Sequence, residues 1–255
     1  WNGVAVLDGT FTSKSFQIGA EAGQTVSLDI DSVSTTQLGS YKTTLATEAN
    51  DVTGGSAIKG DTLAVTGHLG SANATYAAGA SAKDIAAAIN ADTSSTGVSA
   101  TATTMAKIDT LERAEAVSFT LNGTAVASST PASTNDLRNI RDAINAVASS
   151  TGVTATVGST NAELVLTAID GRDIAFTSVS TATAGTNFSV TALSADGSEV
   201  GGAVIIDDGT SSGSAIDAVT VTGYVELSSM KDFSFDGAGT TTGDYADADA
   251  DLSAI

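Results

Sequence analysis

Lys83 to Thr103, KDIAAAINADTSSTGVSATAT, and Arg138 to Gly158, RNIRDAINAVASSTGVTATVG, are two copies of one pattern at an offset of 55 residues. Twelve of the 21 paired positions are identical, among them Ile85/Ile140, Ile89/Ile144, Asn90/Asn145 and the whole run Ser94 to Val98 against Ser149 to Val153. Ile85, Ala88 and Ile89 recur at helical spacing, and so do Leu137, Ile140, Ile144 and Val147. That spacing predicts two short amphipathic helices, each with a narrow apolar stripe to lay on a sheet. Ser81 with Asp84 three residues on reads as a cap for the first, and Thr134 or Asn135 as a cap for the second. Gly97 and Gly152 follow the helices, where a residue tolerant of positive φ ends a helix. Alternating strands follow at Val98 to Ala102 and Val153 to Val157, and a strand with a glycine turn precedes each copy at Leu63 to Gly67 and Phe119 to Gly123. Two copies make two modules rather than a solenoid.

Alternation continues outside the repeat. Thr25 to Asp31 puts Val26, Leu28 and Ile30 on one face, the pattern of a half-buried antiparallel strand. Val117 to Leu121, Leu164 to Thr167, Ile174 to Val179, Phe188 to Leu193 and Val219 to Val225 read the same way, and Ala203 to Ile206 runs into the turn signal Asp207-Asp208-Gly209. Ala, Thr, Ser and Gly fill more than half of the 255 positions. A charged fraction of only 15% and the regular alternation argue for folded layers over disorder. The expected class is α+β, mostly β.

The charge balance excludes several functions. Ten Lys and Arg against 29 Asp and Glu leave a net charge of −19, so phosphate neutralisation by basic clusters is not available and no nucleic-acid partner is expected. The same sign opposes docking on anionic lipid, and the lack of a long apolar run opposes membrane insertion. The absence of Cys removes disulfides, thiolate nucleophiles and Cys-ligated zinc. Trp1-Asn2-Gly3 has neither the basic nor the apolar region of a secretory leader.

Two groups of residues carry a family resemblance. Ile89-Asn90-Ala91 and Ile144-Asn145-Ala146, each followed by Thr-Gly-Val, resemble the hook IN motif of bacterial flagellins and flagellar hook-associated proteins. Trp1-Asn2-Gly3-Val4-Ala5-Val6-Leu7-Asp8-Gly9-Thr10-Phe11, with Phe16-Gln17-Ile18-Gly19-Ala20-Glu21-Ala22-Gly23-Gln24-Thr25-Val26 behind it, resembles flagellin segments in both residues and spacing. Trp1 and Glu21 are the departures. The likeness is close over residues 1–39, moderate over the repeats and absent from about 180 to 225. It implies a non-catalytic structural subunit of the flagellar filament, extracellular, with other flagellin subunits as partners. It also implies an outer-domain fragment without the terminal polymerising helices, monomeric by itself. Residues 1–39 and 226–255 would pair as a stub of the inner D1 domain, and the Ala/Asp tail from Tyr245 would begin a helix. Residues 40–225 would form the outer region as an insertion, with β-α-β-like modules near 56–112 and 113–185 and a remainder at 186–225. The alternative is a cell-surface flagellin homologue that binds an extracellular polysaccharide, with Tyr41, Tyr76, Tyr224 and Tyr245 available to stack on sugars.

The search for chemistry returns little. His68, the lone histidine, sits in the turn Gly67-His68-Leu69-Gly70 and reads as a turn residue rather than a base. Gly55 and Gly60 have phosphate-loop spacing, but Asp61-Thr62 stands where Lys-Ser/Thr is needed. Asp244, Asp247, Asp249 and Asp251 are calcium candidates by spacing, though the sixth-position Gly and twelfth-position Glu of an EF-hand are missing. Acids at a helix start explain them without metal. No cofactor is expected. A glycosidase needs two carboxylates at a set separation, which sequence does not show, and an enzyme is not expected. The sequons at Asn73, Asn122 and Asn187 read as chance.

Overall fold

A computed structural model describes residues 10–19, 23–30, 39–45, 58, 60–183, 186–207, 218–237, 248–249 and 251–254. It begins with a hairpin, β1 (Lys14–Gln17) and β2 (Thr25–Leu28), and a strand, β3 (Gly39–Leu45). The first repeat contributes β4 (Asp61–Gly67), β5 (Gly70–Tyr76), α1 (Ala82–Ala91), α2 (Thr93–Thr96) and the long β6 (Val98–Asp109). The second contributes β7 (Val117–Leu121), β8 (Thr124–Ser129), α3 (Arg138–Ala146), α4 (Ala148–Thr151), β9 (Thr154–Val157), β10 (Leu164–Ala168) and β11 (Ile174–Thr181). Then come β12 (Phe188–Leu193), β13 (Glu199–Ile206), β14 (Val219–Val221), β15 (Tyr224–Ser229), β16 (Ser234–Gly237), β17 (Ala248–Asp249) and β18 (Asp251–Ala254). The chain is α+β and mostly β.

The identical residues of the repeat make identical bonds. Asn90, at the end of α1, donates from Nδ2 to the Ala100 carbonyl at 2.7 Å and accepts the Ala100 N–H on Oδ1 at 2.8 Å. Asn145, at the end of α3, does the same to Ala155, at 2.8 Å in each direction. Ala100 lies opposite Leu227 in β15, and Ala155 opposite Leu166 in β10. In each module the carboxamide satisfies the strand's backbone on the edge away from that neighbour, as a further strand would. Thr96 and Thr151, both buried, link helix exit to strand entry. Each hydroxyl donates to the carbonyl four residues back, of Asp92 at 3.1 Å or Val147 at 3.2 Å, and accepts the N–H of Val98 or Val153 at 3.2 Å. Gly97 (φ 77°) and Gly152 (φ 72°) make the left-handed turn between. A Cβ there would also strike the His68 ring at Gly97 and the Arg172 guanidinium at Gly152. The run Ser-Ser-Thr-Gly-Val is therefore one compact helix-to-strand corner.

The two helices start differently. Ser81 caps α1 in a full capping box with Asp84, as its sequence predicts. α3 begins at Arg138 with Leu137 in the cap position, so neither Thr134 nor Asn135 caps it. The Leu137 N–H instead reaches the Asn161 carbonyl at 2.8 Å, and the Arg138 N–H reaches Asp136 Oδ1 at 3.3 Å. The third residue of the helix here is Ile140, not an acid, so the box cannot form.

The modules are nested. In the second, β7 pairs with β8 and with β11, while β9 pairs with β10. In the first, β4 pairs with β5 and with β16, while the Val98–Thr103 half of β6 pairs with β15. β15 and β16 thus hold the places of β10 and β11, yet they follow the whole second module in the chain. Residues 226–237, grouped with the chain ends on sequence grounds, span most of β15, the turn after it and β16, which pair with the first module's β6 and β4. The other half of β6 lies between β10 and β12, so one strand serves both modules. The resulting sheet runs β13-β12-β6-β15-β3-β18 with β10 and β9 branching from β6, beside the four-stranded sheets β14-β11-β7-β8 and β17-β16-β4-β5. The run Val219 to Val225, one strand by alternation, breaks at Thr222-Gly223 because the chain there leaves one sheet for the other.

Each module has its own core. Ile85 and Ile89 of α1 meet Leu63, Val65, Val225 and Leu227, all buried. Leu137, Ile140 and Ile144 meet a group that contains Phe119, Phe176 and Phe188, whose ring centroids lie 5.3–6.4 Å apart. Burial of each such side chain contributes about 1.5–3 kcal/mol.

Asn90→Ala and Asn145→Ala should each destabilise the fold by about 1–3 kcal/mol, because two backbone bonds are lost and no side chain is left to replace them. Denaturant unfolding at neutral pH checks this, and an unchanged midpoint in both variants would show the clamp to be decorative. A second outcome concerns acid. The Arg138 guanidinium, bonded to Asp136 at 2.6 and 2.8 Å, holds that carboxyl down at about 2. Its contribution is complete above the unfolded carboxylate value of about 3.9 and is lost as pH falls toward 2. Asp136→Asn should therefore flatten the melting temperature against pH over that window, read by calorimetry.

Candidate functional site

The β1–β2 hairpin differs from every other described sheet in having no buried face. Lys14 pairs with Leu28 and Phe16 with Val26, and the Ile18 N–H meets the Gln24 carbonyl at 2.8 Å. Strand alternation then sets Phe16, Val26 and Leu28 on one side. They remain 41%, 49% and 45% exposed, and Ile18 is 71% exposed. Of the half-buried strand expected at Thr25 to Asp31, Thr25–Leu28 forms as a strand, but among the described residues Val26 and Leu28 meet no core. Among the described residues, the two strands pair only with each other. Polar contacts fix the base: the Ser13 N–H donates to the Asp29 carboxylate, and the Ile30 N–H to the Phe11 carbonyl at 3.0 Å. Lys14 Nζ lies 5.9 Å from the buried Phe11 ring. The arrangement is a small ordered apolar surface held open to solvent, a form suited to docking another protein surface.

The residues singled out for chemistry are placed otherwise. His68 packs its ring against Gly97. Asp244 and Asp247 lie outside the described residues. Asp249 and Asp251 lie on different sheets, Asp249 opposite Ser234 in β16 and Asp251 opposite Lys42 in β3. Residues 251–254 are extended, so the tail does not begin a helix across them. Tyr76 is in the core, Tyr41 is half-buried against it, and Tyr224 directs its hydroxyl to Met105 Sδ at 3.9 Å. Tyr245 is outside the described residues. Of the sequons, Asn122 is committed: Nδ2 donates to the Thr151 and Asp173 carbonyls at 3.1 and 2.9 Å, and Oδ1 accepts the Ala175 N–H at 2.8 Å. Asn187 Nδ2 donates to Glu112 at 3.0 Å, and Asn73 is exposed.

One polar cluster has no sequence motif. Lys107 on β6 bonds Asp109 at 2.8 Å and also Glu199, and the Ser189 hydroxyl donates to Asp109. Burial disfavours the lysine's charge, but the two carboxylates outweigh it and raise its pKa to about 12. A lysine held as a cation cannot take a proton from Ser189, so the cluster ties β6, β12 and β13 together rather than activating a nucleophile. The strand read from the sequence stops at Ala102, short of Lys107 and Asp109, so nothing along the chain marks the cluster.

Comparison with known proteins points to one family. The Flagellin hook IN motif matches residues 62–111 and 118–170. The first match covers β4 to β6, and the second β7 to β10. Flagellin A of Helicobacter felis is 31% identical over 180 residues, 68% of this chain and 34% of that protein. Flagellin A of Helicobacter pylori is 32% identical over 179 residues, with the same two shares. Flagellin A of Helicobacter mustelae is 28% identical over 235 residues, 86% of this chain and 40% of that protein. The chain thus spans about a third to two fifths of the length of these relatives. No helix among the described residues is long and apolar enough to cross a membrane. Two hook IN motifs, folded alike and set among flagellin relatives, identify the chain as a flagellin-like protein.

Proposed function

We propose that these residues form the outer, non-catalytic part of a longer filament subunit, extracellular in the flagellum, and that subunits meet through the apolar face of the β1–β2 hairpin. The exposed quartet Phe16, Ile18, Val26 and Leu28 carries this reading. An ordered apolar face of this kind contributes binding energy only when a partner covers it. The flagellin relatives support a second subunit as that partner. The relatives' length supports the view that further chain belongs to the working subunit. The base, on this reading, is built from residues 1–39 and the part of 226–255 beyond Gly237, and β18, paired with Gly39 to Lys42 of β3, joins it to the projecting body. Residues 40–237 project from it as the nested pair of modules. The net charge of −19 keeps these residues monomeric by themselves.

The test uses the full-length parent. Phe16→Asp with Val26→Asp should abolish filaments in negative-stain electron micrographs while the unfolding free energy of the modules stays within the scatter of surface substitutions, about 0.5 kcal/mol. Filaments of ordinary length and number from that variant would overturn the hairpin's role. Sedimentation of residues 1–255 should give a single monomeric species.

A further inference from the structure

We propose that the contact between the two modules is a proton-operated latch, closed while the Asp173 carboxyl is neutral and loosened when it ionises. The contact is made by the loop between β10 and β11. Its Gly171 carbonyl accepts the Lys83 N–H of α1 at 2.9 Å, and its Asp170 binds Lys83 Nζ at 2.9 Å. Gly171 lies so close to Ala102 of β6 that an added Cβ would come within 2.2 Å of the alanine's own. The same loop grips the second module through Arg172, which stacks on Gly152 and reaches the Thr151 carbonyl at 3.3 Å, and through the Asp173 carbonyl, held by Asn122. Four consecutive residues, Asp170 to Asp173, thus hold both modules at once.

Asp173 sits badly in this contact when charged. Its Oδ1 is buried with no hydrogen-bond partner, and its carboxyl is bonded by the Thr222 hydroxyl. The charged groups around it offer no compensation. On α1, Asp84 has the same sign, and Lys83 is committed to Asp170. On its own loop, Arg172 is committed to Asp170 at 2.7 Å. The β7–β8 turn and the link from β14 to β15 present the neutral Asn122 and Thr222. Burial accordingly pushes the carboxyl up to about 7, with the Thr222 bond opposing and Asp84 adding to the rise. A group bound to its proton more tightly in the closed contact favours closure below its titration point and works against it above. Asp170 behaves in the opposite sense: Arg172 and Lys83 keep it ionised, so the ionic half of the contact does not open over the same range. Loosening is local, not unfolding.

The experiment is carbon-detected NMR titration of Asp173 in the full chain, with exchange of the Lys83 N–H as the reporter of closure. The expected midpoint is near pH 7. The Lys83 protection factor should fall at least about tenfold between about pH 5.5 and about pH 8.5 in the parent chain, and stay level in Asp173→Asn. A midpoint in the ordinary carboxylate range near ~4, or the same protection profile in parent and variant, overturns the latch. If Asp173→Asn does not fold, Asp84→Asn takes its place. Removal of the like charge should lower the Asp173 midpoint and carry the protection step with it. A protection step that stays where it was overturns the proposal.

Discussion

A strand with an open edge must satisfy its backbone groups or leave them to any passing partner, and here two side chains meet that constraint from inside the repeat. Asn90 and Asn145 each read an alanine backbone with donor and acceptor together, which fixes the helix end against the strand it feeds. Asn122 in the β7–β8 turn also uses both ends of its carboxamide, donating to the Thr151 and Asp173 carbonyls and accepting the Ala175 N–H. A carboxamide suits the role because it carries both a donor and an acceptor in one plane, as a peptide does. In a chain with so many small residues the cores are thin, and each helix buries few large side chains. Directional bonds of this kind then decide where a helix sits, while burial supplies the free energy.

Nesting follows from where the repeat ends. In the second module a short connection joins β9 to β10, and the sheet closes at once. In the first, the chain leaves β6, builds an entire second module, and only then returns as β15. The long strand makes this possible: its first half has β15 as neighbour, and its second half has β10 and β12. Insertion at such a point is tolerated because both ends of the inserted segment emerge side by side. The nesting also forces the modules into contact, since they share a strand, and so places the β10–β11 loop of one against α1 of the other.

Much of this was legible in the residues, and the limits have physical causes. The stripe of Leu137, Ile140 and Ile144 located α3, and the paired runs ending in Thr-Gly-Val located both corners. The start of α3 was misread because Thr134 and Asn135 are good caps by composition, whereas Asp136 and the distant Asn161 carbonyl make the bonds. Nesting was hidden because strand pairing over a hundred residues apart leaves no local trace, and Val219 to Val225 alternates as smoothly as a single strand. The hairpin was half legible. Alternation gave its strands, but a strand facing a core and a strand facing a future partner have the same pattern. The Lys107 cluster and the Asp173 contact are tertiary, and nothing in their neighbours along the chain marks them.

The hairpin and the modules handle apolar surface in opposite ways, and the difference separates roles within one chain. The modules bury Phe119, Phe176 and Phe188 in a closed core and turn carboxylates outward, which suits a body that must stay apart from its copies. The hairpin leaves Phe16, Ile18, Val26 and Leu28 in water, at a cost that folding of the chain alone does not return. Side-chain bonds at its base keep it ordered nonetheless. An apolar face that is exposed and yet held in register is the opposite solution to the modules' closed cores, and it is the feature on which the proposed contact between subunits rests.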